Sequence, residues 1–141
     1  MKNKKEEKKA LFICTHNSAR SQMAEGLVNP LYRGRYTARS AGTEPSEVNS
    51  YAVRVMSEIG IDISSHHSKS LDQFMDQDFD YVVTVCDQAN EACPYFPGGK
   101  KRTHKGFEDP AAIEGAEEAK LAAFRLVRDE IKEWVEKNFG T

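Results

Sequence analysis

Apolar residues along this chain occur either in short continuous runs or in stripes spaced by three or four positions. The run Leu11-Phe12-Ile13 leads straight into Cys14, and the β-branched run Tyr81-Val82-Val83-Thr84-Val85 leads into Cys86. Continuous apolar runs of this length, rather than alternating ones, predict strands covered on both faces, here over residues 9–15 and 80–86. Residues 36–41 predict a short second strand closed by Gly42, and residues 102–104 a short last one. Met23, Ala24 and Leu27 share one face of a helix predicted over 21–31, which Pro30 should kink or end. A second helix, capped by Asn49 or Ser50, turns Ala52, Val53, Met56 and Ile59 inward and stops at Gly60. Ser70-Leu71-Asp72-Gln73 fits a capping box opening a short helix. A long amphipathic helix is predicted over 116–138, with Phe124, Val127, Ile131, Trp134 and Val135 inward.

Strands alternating with helices predict an α/β fold, a three-layer sandwich with a four-stranded parallel sheet and helices on both faces. Sites in such sheets form at the carboxyl ends of strands. Cys14 and Cys86 both fall at such ends. The 141 residues suffice for one domain with its own core, expected over 10–141 behind a charged tail over 1–9.

Composition narrows the function. The net charge is −2, so the chain as a whole is not built to bind polyanions, and an anion site must be local. The lysines of MKNKKEEKKA are interrupted by Glu6 and Glu7, with no aromatic interleaved for base stacking, which reads as a solvated tail and not as a nucleic-acid arm. No apolar stretch reaches the roughly 20 residues of a membrane span, and the N-terminus lacks a signal-peptide core, so the expected location is cytoplasmic. In that compartment three cysteines point to reactive thiols or a metal before structural disulfides. No Gly-x-Gly-x-x-Gly or Gly-Lys-Ser/Thr pattern calls for a nucleotide, and no cofactor or metal is required.

The stretch Cys14-Thr15-His16-Asn17-Ser18-Ala19-Arg20-Ser21 lies between a predicted strand and a predicted helix. A loop there turns backbone N–H groups toward one point, and the helix N-terminus adds unpaired donors and a positive partial charge. Arg20 adds a bidentate fork for a tetrahedral oxyanion. The same field favours the thiolate of Cys14, to which Ser21 can donate its hydroxyl. Asn17 tolerates a left-handed conformation and can pin the loop through its side chain. His16 can touch the anion or stay a solvated loop residue. Cys86 and Cys93, spaced by six residues, admit three readings from residue chemistry: inert thiols, a zinc pair with His104 or His66-His67, or a redox relay.

CTHNSARSQMAEG, the strand ending VTVC, the Cys86-x6-Cys93-Pro94 spacing and GFEDPA together resemble the thioredoxin-coupled arsenate reductases, which share a fold and an anion loop with the low-molecular-weight protein tyrosine phosphatases. The resemblance covers nearly the whole chain beyond the tail. It implies that the Cys14 thiolate attacks arsenate held by the loop and Arg20, and that Asp109, the aspartate before Pro110, is the general acid. It also implies that Cys86 attacks the Cys14 adduct to release arsenite, that Cys93 then takes over Cys86, and that thioredoxin or a similar dithiol reduces the final disulfide. Phosphate and sulfate would compete for the loop, and a monomer is expected.

Two departures weaken the phosphatase alternative: Ala111-Ala112 stands where related phosphatases carry tyrosines, and Ala19 where they commonly carry a second loop cysteine. A non-catalytic anion or redox-signalling module would not need the full set of Cys14, Arg20, Asp109, Cys86 and Cys93. Some relatives bind potassium through residues matching Asn17, Glu25 and Ser40 together with an aspartate. Here Lys69 stands at the aspartate's position, and its ammonium is expected to replace the ion.

Overall fold

A computed structural model describes residues 7–87 and 95–140. Four strands, β1 (Lys8–Cys14), β2 (Tyr36–Gly42), β3 (Phe79–Thr84) and β4 (Gly99–His104), form one parallel sheet in the order β2-β1-β3-β4. The helices are α1 (Arg20–Leu31), α2 (Ser50–Glu58) and α3 (Glu117–Phe139). β1 and β3 occupy the centre, which is why their apolar runs are continuous: Ala10, Leu11, Phe12, Ile13 and Cys14 are all buried. β1 begins at Lys8, so Lys8 and Lys9 pair with Tyr36 and Thr37 and belong to the sheet and not to the expected tail.

One sheet face, carrying Ala10, Phe12, Ala38 and Val83, packs against the inward faces of α1, α2 and α3. The other face carries Leu11, Ile13 and Val82. Among the described residues it is covered by Leu71 and Phe74 of a 3₁₀ turn and by Phe96. That turn, Leu71–Phe74, is also tighter than the predicted helix: the Ser70 hydroxyl accepts from Asp72 N, so the full capping box does not form.

Other expectations shift at their edges. Pro30 lies inside α1, in its last turn, and the helix ends one residue later. On α2 the buried stripe is Ala52, Val55 and Met56, an i, i+3, i+4 set; Val53 and Ile59 pack at its margin. The Asn49 side chain caps this helix by accepting from Tyr51 N, and Gly60 follows it with φ of +80°. On α3 the core positions are Leu121, Phe124, Val127, Ile131, Val135 and Phe139, with Trp134 only partly covered. β4 runs three residues further back than predicted, because as an exposed edge strand of sequence GKKRTH it carries no apolar signature. No helix among the described residues is long and apolar enough to cross a membrane.

Candidate active site

The sheet geometry delivers Cys14 to the carboxyl edge, where the chain must turn into α1. The loop from Thr15 to Ala19 is held by its carbonyls. Thr15 O accepts from Glu44 N at 2.9 Å, His16 O from Ser46 N at 3.2 Å and from Ser68 Oγ at 2.8 Å, and Ser18 O from Asn49 N at 2.9 Å. In a trans peptide the following N–H points opposite to the carbonyl. Anchoring these three carbonyls outward therefore turns the N–H groups of His16, Asn17 and Ala19 away from the anchors. Ala19 is the N-cap of α1 and supplies no side-chain cap, which leaves first-turn donors for an anion. Asn17 takes the left-handed conformation at φ 51°, the turn that closes the loop.

Cys14 is a buried free thiol whose Sγ lies 2.9 Å from Ser21 Oγ. Ser21 Oγ in turn accepts from Asn17 Nδ2 at 2.8 Å, which leaves the hydroxyl proton available for the sulfur. Arg20 is 3% exposed; it donates from Nη1 to Phe107 O at 3.3 Å, and its Nη2 lies 3.8 Å from Asp109 Oδ2. Asp109 caps the 3₁₀ turn Pro110–Ala112 through Oδ1, which accepts from Ala111 N at 2.9 Å. One carboxylate oxygen is thus tied down while the other faces Arg20. Cys14, His16, Ser18, Ala19, Arg20, Ser46, Asp109 and Ala111 line a cavity of about 80 Å³. That is well above the roughly 15 Å³ a single water needs and on the scale of one small tetrahedral anion. His16 also lines this cavity, with Nδ1 3.0 Å from Glu44 O, and is otherwise exposed. Glu108 is exposed outside it. A larger cleft of about 580 Å³ lies between the Lys105–Glu108 segment and α3, but neither Cys14, Arg20 nor Asp109 lines it.

Behind the loop lies a polar layer. Ser40 Oγ donates to Glu25 Oε1 at 2.5 Å, and Lys69 Nζ approaches the same oxygen at 3.5 Å while donating to His67 O at 3.1 Å. Lys69 N donates to Asn17 Oδ1 at 2.7 Å. The ammonium therefore stands beside Glu25, and the same residue's backbone braces Asn17. Gln22 and His66 complete this layer and were not singled out from the sequence as supports of the loop. Gln22 looks like one polar residue on an otherwise apolar helix face, and its partner His66 lies 44 positions away. Burial pushes the pKa of the His66 ring down, against the opposing pull of Glu25. Among the described residues no three His, Cys, Asp or Glu side chains are grouped to hold a metal ion. His66 Nδ1 faces Gln22, and His104 Nδ1 faces Thr84 Oγ1 at 2.8 Å.

Cys86 is buried just past β3, two residues beyond Thr84, and it is disulfide-bonded. The register pairs Ile13 with Thr84, and Val85 N donates to Ile13 O at 2.9 Å. Cys86 is thus one residue past the position level with Cys14 on the neighbouring strand. With strands about 4.8 Å apart and a rise of about 3.3 Å per residue, their Cα atoms come within about 6 Å. That falls inside the range of about 4.4–6.8 Å that a disulfide spans. Cys93 lies outside the described residues.

Comparison with known proteins agrees with this geometry. Residues 9–140 match the family "Low molecular weight phosphotyrosine protein phosphatase". An arsenate reductase of Halalkalibacterium halodurans is 51% identical over 120 residues, covering 85% of this chain and 86% of the relative. A solved arsenate reductase in a phosphate-binding state superposes with a TM-score of 0.81 at 36% identity, over 94% of this chain and 97% of that one. The thioredoxin-dependent arsenate reductase of Corynebacterium glutamicum aligns with a TM-score of 0.61 at 27% identity, over 96% of this chain and 64% of that one. The anion loop, the parallel sheet that carries it and these likenesses agree: the chain belongs to the low molecular weight phosphotyrosine protein phosphatase family, among its arsenate reductases.

Proposed function

We propose that this protein reduces arsenate to arsenite through a relay of Cys14, Cys86 and Cys93 that thioredoxin or a similar dithiol re-reduces. The observation that carries the reading is the convergence of a free Cys14 thiol, Arg20 and Asp109 on one small cavity, with Cys86 on the adjacent strand end. The Cys14 thiolate attacks arsenic of the bound oxyanion, Asp109 protonates the departing oxygen, and water leaves. A Cys14–arsenic(V) thioester remains. Arg20 and the loop N–H groups hold the remaining oxygens and match the charge of the crowded intermediate.

The Cys86 thiolate then attacks Cys14 Sγ. The sulfur–arsenic bond breaks toward arsenic, which takes the electron pair and leaves as arsenite, and a Cys14–Cys86 disulfide forms. Cys93 attacks Cys86 by thiol–disulfide exchange and frees Cys14 as thiolate. The dithiol reductant supplies the two electrons that restore Cys86 and Cys93. Ser40 and Lys69 support the loop through Glu25 and Asn17, and the Lys69 ammonium fills the role of a bound cation.

The family resemblance also supports a second reading, hydrolysis of phosphomonoesters through a Cys14 phosphocysteine. Ala111 on the cavity wall offers no aromatic surface to a phosphotyrosine ring. The deciding experiment follows NADPH consumption driven by arsenate, with thioredoxin and its reductase, for wild type and Cys93→Ser. The relay requires multiple turnovers in the wild type and about one arsenite per enzyme in the variant. No consumption, with p-nitrophenyl phosphate hydrolysed equally by both proteins, would replace the reductase with the phosphatase.

A further inference from the structure

Lysine and arginine are concentrated on one edge of the sheet. β4 reads Gly-Lys-Lys-Arg-Thr-His and Lys105 follows it, so Lys100, Lys101, Arg102 and Lys105 stand together with no carboxylate among them, in a chain whose net charge is −2. Every residue of the strand after Gly99 is exposed, as is Lys105. Lys100 pairs with Asp80 at 3.4 Å. Among the described residues Lys101, Arg102 and Lys105 reach no carboxylate; Arg102 lies 5.0 Å over the Tyr95 ring and Lys105 5.3 Å over that of Phe107. β4 is last in the strand order, and among the described residues no strand pairs with its outer edge.

Charge on an edge strand guards against pairing with another copy, but that duty is indifferent to sign and to place. This charge is of one sign, and it runs toward the reacting end of the sheet. Successive side chains alternate between faces, so Lys101 points away from the side of Lys100 and Arg102, and no one small anion can gather them. A surface laid along the edge can. His104 is level with Thr84, and Lys105 N donates to Thr84 O at 2.9 Å, two residues before Cys86. Arg102 is level with Val82, which puts it about 13 Å back along the strand from Cys86 at a rise of about 3.3 Å per residue. A docked protein covers about 800 Å² of its partner, a patch roughly 16 Å in radius. On the other side of β3 lies β1, whose residues from Ala10 to Cys14 are buried, so β4 is the open flank of the Cys86 strand. We infer that β4 is the docking surface for the dithiol protein that re-reduces the relay, and that this partner carries carboxylates around its reactive thiols. The inference rests on the three-cysteine reading. Opposite charges speed the encounter of the two proteins, and salt screens the effect.

The test compares wild type with Lys101→Glu/Arg102→Glu and with Arg33→Glu/Arg39→Glu, which makes the same change in net charge. Arg33 and Arg39 are exposed in and before β2, the opposite edge of the sheet. Glutamate keeps the β4 edge charged, so only the sign is altered. Each protein is oxidised with diamide, and the return of its cysteine thiols under reduced thioredoxin is followed by alkylation and mass spectrometry, with dithiothreitol as an uncharged reductant. At about 50 mM salt the rate constant with thioredoxin should fall about tenfold for Lys101→Glu/Arg102→Glu, and at about 500 mM it should approach that of wild type. The dithiothreitol rates of all three proteins, and the thioredoxin rate of Arg33→Glu/Arg39→Glu, should stay within about twofold of wild type, since neither depends on charge at β4. A thioredoxin rate unchanged by the β4 substitutions, an equal loss in the β2 variant, or an equal loss with dithiothreitol would overturn the inference. So would poly(U) RNA that binds β4 while reduction by thioredoxin is unaffected, which would assign the strand to nucleic acid. A protein with no disulfide that thioredoxin reduces would refute the relay and the docking surface together. One that shows the charge dependence but never reduces arsenate would refute the proposed activity and leave the docking surface standing.

Discussion

Gly42 is the position at which a single methyl group tests the link between fold and chemistry. It ends β2 level with Cys14, and the anion loop passes directly over it. A Cβ placed there would lie 2.4 Å from Thr15 O, 2.8 Å from Asn17 N and 3.0 Å from Cys14 O. All three are backbone atoms, so no side chain can swing aside. Taking about 3.3 Å as a close but tolerable C···O approach, the loop must retreat by about 0.9 Å at Thr15. Overpacking of this kind costs about 1–3 kcal/mol, and a displacement near 1 Å of the reacting groups can cost about a hundredfold in rate. Gly42→Ala should therefore lower the urea unfolding free energy by about 1–3 kcal/mol and cut arsenate kcat/KM by roughly 10- to 100-fold. The carbonyl anchors from Glu44 and Ser46 pull the loop toward the same methyl, so both effects are expected together. Urea denaturation and steady-state kinetics on the same preparation measure them. A variant within about 0.5 kcal/mol and about twofold of wild type, the range of an ordinary neutral substitution, would show that the loop has slack and refute that reasoning.

The ammonium of Lys69 beside Glu25 predicts that arsenate turnover is the same in sodium and potassium buffers, whereas Lys69→Asp gains a potassium dependence. Clear potassium activation of the wild type in steady-state assays would contradict it. Glu58 accepts from Arg125 and Arg128, and the Arg125 hydrogen bonds foremost hold its pKa at about 2 against an ordinary 4.5. A carboxylate depressed in this way stabilises the fold above its unfolded value and loses that effect as pH falls through its folded value. The stability gap between wild type and Glu58→Gln, followed by denaturant titration, should therefore be full above about pH 4.5 and shrink toward pH 2. A pH-independent gap would show that the glutamine acts through packing alone.

What the sequence determined by itself is local. The apolar runs ending in Cys14 and Cys86 defined two central strands because a strand covered on both faces has no polar positions to alternate with. The stripe on α3 and the cap at Asn49 were legible for the same reason: each is written within one or two helical turns. The loop residues from Cys14 to Ser21 were legible because one contiguous segment carries them.

The rest depended on residues far apart in the chain. β4 could not be read over its full length, since an edge strand exposed to water needs no apolar residue and is defined only by its pairing with β3. Val55, not Val53, lies on the buried face of α2, because Ala52, Val55 and Met56 keep the i, i+3, i+4 spacing of the face that α3 packs against, while Val53 falls at its margin. Gly42 looked like the end of a strand, and only the loop crossing above it turns the absent Cβ into a requirement. Gln22, His66 and Lys69 become one support for Asn17 when a segment more than forty residues downstream folds against α1. Hydrogen-bond partners at that separation leave no periodic trace, so the tertiary structure alone decides what holds the Cys14 loop in place.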